Sequence, residues 1–205
     1  MSRGQAGADA VILGTLEEAR TALDALLKNA ATLAAIAETG RVMAAALRRG
    51  GRVFSCGNGG SMCDAMHFAE ELSGRYRNDR KALAAVSISD PSHLSSVAND
   101  YGYEMVFSRY LEAHARAGDC LLAISTSGSS RNVMAAAEAA KAQGLTVIGL
   151  TGRPGSPLGS LSEIEISTPG GQFADRVQEL HIKVIHILIE LIERELFPEN
   201  YGAGQ

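Results

Sequence analysis

Five side chains define the chemistry that this sequence can attempt. Asp64, His67 and Glu71 follow a glycine turn, Gly57-Asn58-Gly59-Gly60, and on a helix, at about 100° per residue, they fall on one stripe. An imidazole with a carboxylate four residues on can bind a metal ion or move a proton. Gln178 and His186 stand near the end of the chain; eight residues apart on a helix, they project within about 80° of each other. His186 is surrounded by Ile182, Val184, Ile185, Ile187, Leu188 and Ile189, so its charged form is disfavoured unless a carboxylate or a metal partners it. Alone, such a histidine is more often a satisfied core residue. A second histidine with a glutamate at i, i+4 on another helix shifts the balance. His67, Glu71, Gln178 and His186 together offer an N/O donor set that suits Zn²⁺, with glutamine its weakest member.

Two polar turns stand beside these groups. Ser125-Thr126-Ser127-Gly128-Ser129-Ser130 places five hydroxyls around a glycine just before a helix, and helix N-termini favour anions, so a phosphate suits it. The alternative is a turn whose hydroxyls satisfy their own backbone. The turn lacks the Gly-Lys-Ser/Thr ending of a P-loop, and Met62 stands where G-x-G-x-x-G needs its third glycine, so neither a nucleoside triphosphate nor a dinucleotide is indicated. The glycines at 57–60 instead let backbone N–H groups approach a small substrate, with Asn58 adding an amide. Ser61 with Asp64 three residues on resembles a capping box, predicting a helix that starts at Ser61 with Ala65, Met66, Phe68, Ala69 and Leu72 buried. Cys63 is read as core, His181 as packed against a neighbour, and His93 and His114 have no constellation.

The elements that must position these groups alternate. Helices over about Asp9–Lys28 and Thr32–Arg48 precede strand Arg52–Cys56, the helix at Ser61, and strand Ala84–Ser89. A short helix ends near Asn99, helix Tyr103–Ala115 follows, then strand Asp119–Ile124. Helix Asn132–Gln143, strand Leu145–Leu150, a surface loop over Gly152–Ser162, strand Ile164–Ser167 and a long helix Phe173–Leu196 complete the chain. Strands separated by helices imply an α/β fold, a mostly parallel sheet between two helical layers, with ligands at the carboxyl ends of the strands. Both polar turns lie at such ends. Ile12, Leu16, Ala19, Leu23 and Leu26 are spaced 4, 3, 4 and 3, a narrow seam that either lies on its own domain or meets another copy.

One domain accommodates 205 residues with 46% hydrophobic content. A net charge of −4 and scattered Lys and Arg give no nucleic-acid footprint. Three cysteines without C-x-x-C spacing fit a reducing cytoplasm. Met1–Ala8 lacks the pattern of a leader, and the most apolar segment, Ile182–Ile192, is too short to cross a bilayer and carries charge. The expectation is a cytoplasmic protein with no membrane and no nucleic-acid partner.

Taken together, the stretches Cys56–Ser61, Asp64–Glu71, Ala98–Gly102, Ser125–Ser130 and Asp175–Glu179 with His186 closely resemble the phosphoheptose isomerase family of the sugar-isomerase (SIS) fold. The likeness covers nearly the whole chain. It implies a single SIS domain over 1–205, with helices in 1–50 joining an oligomer bundle and an α/β core over 51–197. It also implies a homotetramer with sites between subunits and one Zn²⁺ per subunit. The reaction would convert sedoheptulose 7-phosphate, a phosphorylated seven-carbon sugar, to D-glycero-D-manno-heptose 7-phosphate for the lipopolysaccharide core. Carried over, phosphate goes to Ser125, Thr126, Ser127 and Ser130, and sugar contacts to Asn58, Gly59, Gly60, Asn99 and Asp100, with Glu71 and Gln178 also touching substrate. Zinc goes to His67, Glu71, Gln178 and His186, with Glu71 as base and His186 as acid. A non-enzymatic SIS-fold regulator that binds the bacterial replication initiator resembles this chain in its tetramer and serine turn, but lacks the carboxylate and the second histidine.

Overall fold

In the computed structural model of the chain, residues 3–202 are described, with side chains from residue 7. The outer ends of the expected 1–205 unit and the start of Met1–Ala8 lie outside them. Two helices, α1 (Arg3–Leu27) and α2 (Ala30–Arg48), lead into β1 (Val53–Cys56) and α3 (Gly60–Ser73). Next come β2 (Ala85–Ser87), α4 (Pro91–Tyr101), a 3-10 turn at Tyr103–Met105 and α5 (Ser108–His114). The second half runs β3 (Cys120–Ser125), α6 (Arg131–Ala142), β4 (Thr146–Thr151), α7 (Pro157–Leu161), β5 (Ile164–Ser167) and α8 (Ala174–Leu196).

All neighbouring strands pair in parallel, in the order β2-β1-β3-β4-β5. Both faces of the sheet are covered, as its continuous apolar strands require. Along β3, Cys120, Leu122 and Ile124 face one core with α1, α2, α3 and α8, while Leu121 and Ala123 face the other with α4, α5, α6 and α7. The expected three-layer α/β/α architecture is therefore what forms. After β1 the chain turns to β2 on one side, then crosses to β3 on the other. Such a reversal opens a crevice at the carboxyl ends of β1 and β3, and the glycine turn and the serine turn are the loops that flank it.

Three expectations need correction. Tyr103–Ala115 is not one helix: Gly102, at φ +89°, breaks the chain, and a 3-10 turn delivers Val106 and Phe107 into the core before α5 begins. Gly152–Ser162 is not a plain loop, because α7 forms within it. Ser156 caps that helix by accepting from the Gly159 N–H at 3.0 Å, Pro157 takes its first position, and Leu158 is fully buried. A Ser-Pro step is a helix-start signal. Strand β2 is three residues long rather than six.

The seam on α1 divides. Leu26 is buried and Leu23 packs against the same core, whereas Ile12 and Leu16 are 55% and 61% exposed. By length and composition α2 is apolar enough to cross a membrane, but Ile36, Met43 and Leu47 are buried in the core shared with α8.

His181 is fully buried on α8 and its Nε2 lies 3.1 Å from the Thr151 carbonyl oxygen, a contact in which the ring donates. Burial lowers its pKa to about 4, against a small upward pull from that hydrogen bond. A histidine whose folded pKa lies below its unfolded value contributes stability that is complete above about pH 6.5 and is lost as pH falls toward 4, because only the unfolded chain takes up the proton there. His181→Gln keeps a donor for Thr151 but cannot titrate. In urea unfolding at pH 7 and pH 4.5, wild type is expected to lose about 2 kcal/mol more than this variant, on the order of 1.4 kcal/mol for each pH unit between the unfolded pKa and the lower pH. Equal losses would show that His181 titrates as an exposed imidazole does.

Candidate active site

Helix α3 begins at the crevice because Gly59, at φ +55°, turns the chain out of β1 and serves as its N-cap. The helix starts at Gly60, so Ser61 lies inside the first turn. The expected capping box does not form: α3 has no side-chain cap, and both Ser61 and Asp64 are buried. Asp64 Oδ2 has no hydrogen-bond partner among the described residues, and burial pushes the carboxyl up to about 6 against the opposing pull of His67. Cys63 and Met66, expected in the core, are exposed.

His67 and His186 meet across α3 and α8. Their Nε2 atoms are 2.8 Å apart and their rings pack edge to face with centroids 5.0 Å apart. Glu71 Oε1 lies 3.7 Å from His67 Nε2, and Glu70 Oε1 lies 3.2 Å from His67 Nδ1. Which ring donates in that contact depends on the tautomers, and a carboxylate beside Nδ1 favours a proton on that nitrogen of His67. Burial and the neighbouring His67 hold His186 below the ordinary imidazole range, and Glu71 pulls the other way. Tyr76 stacks on the His186 ring, centroids 5.8 Å apart.

The sequence did not single out Glu70 or Tyr76, although Glu70 has the i, i+3 spacing that a helix turns toward His67. His67, Glu70 and Glu71 present ligand atoms within 4.8 Å of one another. With His186 opposite, the donor chemistry fits a cation that accepts nitrogen and oxygen ligands. Gln178 sits farther along the same helix pair. Its carboxamide covers Gly60, where a methyl group would come within 2.7 Å of Nε2, and α8 rises about 12 Å between it and His186.

The two turns that flank the crevice are tied to each other. Asn58 and Asn132 exchange hydrogen bonds, Asn58 Nδ2 donating to Asn132 Oδ1 at 2.9 Å and Asn132 Nδ2 to Asn58 Oδ1 at 2.8 Å. The Tyr103 hydroxyl donates to Asn58 Oδ1 at 3.1 Å. Asn132 and Tyr103 went unnoticed in the sequence, and no local pattern marks a pairing 74 residues apart. Asn99 and Asp100 end α4 just before Tyr103, with Asn99 Nδ2 donating to Asp100 Oδ1 at 2.7 Å.

In the serine turn, Ser125 Oγ lies 3.1 Å from Ser130 Oγ and 3.4 Å from Ser127 Oγ, and the Ser129 hydroxyl donates to Ser127 Oγ at 3.1 Å. The hydroxyls thus converge on one spot at the N-terminus of α6. Gly128 is required there: its φ is +64° and a side chain would collide with Ser156. Beside the turn, Thr126, Ser127, Arg153, Gln172 and Val177 line a cleft of about 160 Å³.

A parallel sheet with a hydroxyl-rich turn opposite a glycine turn at the strand reversal defines a SIS-domain protein, and the SIS domain family model matches residues 16–152. The chain belongs to the phosphoheptose isomerase family. It is 58% identical over 181 residues to the phosphoheptose isomerase of Tolumonas auensis, covering 88% of this chain and 94% of that one. To that of Klebsiella pneumoniae it is 55% identical, over 91% of this chain and 96% of the relative. The solved phosphoheptose isomerase of Francisella tularensis superposes with a TM-score of 0.86 at 31% identity, covering 91% and 98% of the two chains. That of Neisseria gonorrhoeae gives 0.82 at 36%, covering 90% and 98%.

The amide pair generates a test. Asn132→Ala leaves the Asn58 carboxamide without one donor and one acceptor, and an unmet polar group of this kind costs about 1–3 kcal/mol. Affinity for a phosphosugar, followed by calorimetry, is expected to fall about tenfold while circular dichroism stays native. Unchanged affinity would separate this pair from ligand binding.

Proposed function

We propose that the protein interconverts sedoheptulose 7-phosphate and D-glycero-D-manno-heptose 7-phosphate, the aldose–ketose isomerisation that opens ADP-heptose synthesis for the lipopolysaccharide core. The observation that most favours it is the meeting of His67, Glu71 and His186 on two helices beside the crevice. In the proposed arrangement Ser125, Thr126, Ser127 and Ser130 hold the phosphate, with the N-terminus of α6 behind them. Asn58, Gly59, Gly60, Asn99 and Asp100 contact the sugar hydroxyls, and Gln178 and Glu71 reach toward C1 and C2.

Isomerisation through an enediol moves one proton between carbons and one between oxygens. Glu71 takes a proton from C1 of the ketose while His186 gives one to the carbonyl oxygen at C2. The enediol then loses its O1 proton to His186, and Glu71 returns a proton to C2. An imidazole can both give and take a proton, so His186 serves both halves of this exchange. Glu70 stands beside His67 Nδ1, where a carboxylate favours a proton on that nitrogen. Zn²⁺, one per subunit, would be held by His67, Glu71 and His186, with Gln178 joining them once its carboxamide leaves Gly60, and when bound would supply polarisation of the C1 and C2 oxygens. A carboxylate that also ligates a metal is a weaker base, so the ion serves mainly to hold the geometry.

Val11, Ile12, Leu13 and Leu16 on α1 are each more than half exposed, apolar surface that contact with another copy would cover. We assign it to a homotetramer. Three free cysteines, two of them buried with thiols pushed up to about 12 by burial, support a reducing cytoplasm as the compartment. The replication-initiator regulator is not favoured, because the carboxylate and the second histidine it lacks are both present here as Glu71 and His186.

Incubation with sedoheptulose 7-phosphate and NMR detection of the aldose is the direct assay. No product from wild type, with or without added Zn²⁺, would overturn the isomerase reading. Glu71→Gln is expected to retain phosphosugar binding and to lose at least about 10²-fold in kcat, the scale of a general base. Turnover near wild type would remove Glu71 from that role. Ile12→Ser with Leu16→Ser is expected to lower the mass in light scattering below that of wild type, and an unchanged mass would return the stripe to an ordinary exposed helix face.

A further inference from the structure

Resting on the isomerase reading, we infer that Arg80 is a positioning residue: it clamps the C-terminus of α3 to α8 and thereby sets the approach of Glu71 and His67 to His186. The Arg80 side chain is 1% exposed and that of Glu193, on α8, 2%. Arg80 Nε donates to Glu193 Oε1 at 2.7 Å. Its two terminal nitrogens donate to the backbone carbonyls of Glu71 at 2.7 Å and of Leu72 and Gly74 at 2.8 Å each. Glu71 and Leu72 belong to the last turn of α3, whose carbonyls have no partner within the helix. A cation placed there satisfies them and complements the helix dipole.

A buried ion pair is justified energetically only when further hydrogen bonds satisfy both partners. They do so here. The second oxygen of Glu193 accepts the Tyr201 hydroxyl at 2.6 Å, and the same C-terminal segment grips the loop that carries Arg80. Asn78 Nδ2 donates to the Asn200 carbonyl at 3.2 Å, and Asn200 Nδ2 to the Asp79 carbonyl at 3.0 Å.

The placement of this clamp gives it a role beyond holding the fold. Helices α3 and α8 run in the same direction, and they touch at three heights. Gln178 covers Gly60 at the start of α3, His186 meets His67, and Glu193 reaches Glu71 through Arg80. Successive contacts on α8 are seven or eight residues apart, about two turns. The middle contact is therefore pinned from both ends, and the lower pin grips the main chain of Glu71 itself. Lysine in place of Arg80 keeps the charge but cannot span Glu193 and three carbonyls at once.

The test uses the full chain in three variants: Arg80→Lys, Tyr201→Phe, and Leu145→Ala as a stability control in the opposite core. For Arg80→Lys we expect kcat to fall about tenfold or more with KM within about twofold, the range seen when groups behind active-site ligands are lost. The imidazole ¹⁵N resonances of His67 and His186 should shift without substrate present. Tyr201→Phe should move both readouts in the same direction by less, and decides the question if Arg80→Lys does not fold. Leu145→Ala should lower Tm while leaving kcat and the ring resonances at wild-type values. Unchanged kcat and ring resonances in the folded Arg80 and Tyr201 variants would overturn the proposal. So would losses that simply track Tm across all three. An inactive wild type would overturn the isomerase reading alone, since the ring resonances still report whether the clamp positions the histidines.

Discussion

The contact between His67 and His186 governs how the rest of the chain is arranged. Two imidazole nitrogens 2.8 Å apart require two helices to pack side by side with polar groups facing each other in an otherwise apolar seam. Such groups are tolerated where each nitrogen has a partner, and Glu70 stands beside Nδ1 of His67. The seam also dictates topology. Both helices must lie on one face of the sheet and run in the same direction, which parallel strands joined by crossover helices provide. Helix α3 leaves β1, α8 follows β5, and α2 packs behind α8 to complete that layer. A large apolar core on this face lets a small polar cluster be held without yielding to water.

Much of this was legible because it is periodic. The alternation of short apolar strands and helices gave the layers, and the spacing of His67 and Glu71 gave one wall of the site. Asp64 shows where periodicity stops. On a helix the residues three before and three after His67 are equally good neighbours, so Asp64 and Glu70 were indistinguishable by spacing. The fold decides between them: Asp64 turns into the core with an unpartnered oxygen, while Glu70 takes His67 Nδ1. Burial likewise separates Cys63 and Met66 from the core to which their residue types assigned them. The same limit explains the missed Asn58–Asn132 pair. Both amides were visible, but their contact exists only because the strand order puts β1 beside β3. By contrast, α7 carries its own local signal in Ser156-Pro157, on a helix only five residues long.

The crevice and the helix seam divide the work of the proposed reaction. At the crevice, hydroxyls, backbone N–H groups and a paired amide face the proposed phosphate, and Arg153 lines the adjoining cleft. The oriented dipoles of the turn give the attraction for phosphate a short-ranged, directional part. At the seam, the groups proposed to exchange protons belong to α3 and α8, whereas the serine turn leads into α6. A proton-transferring pair set next to a dianion would have its pKa values raised and its carboxylate repelled. Holding the two on different elements avoids that conflict, and in the proposed reaction one sugar phosphate reaches both. The binding energy of the phosphate can then be used to hold C1 and C2 against Glu71 and His186, where interactions stronger in the transition state than in the ground state raise kcat. That use of binding energy demands rigidity between crevice and seam. The Asn58–Asn132 bridge at one end and the contacts spaced along α3 and α8 at the other are the features of this chain that supply it.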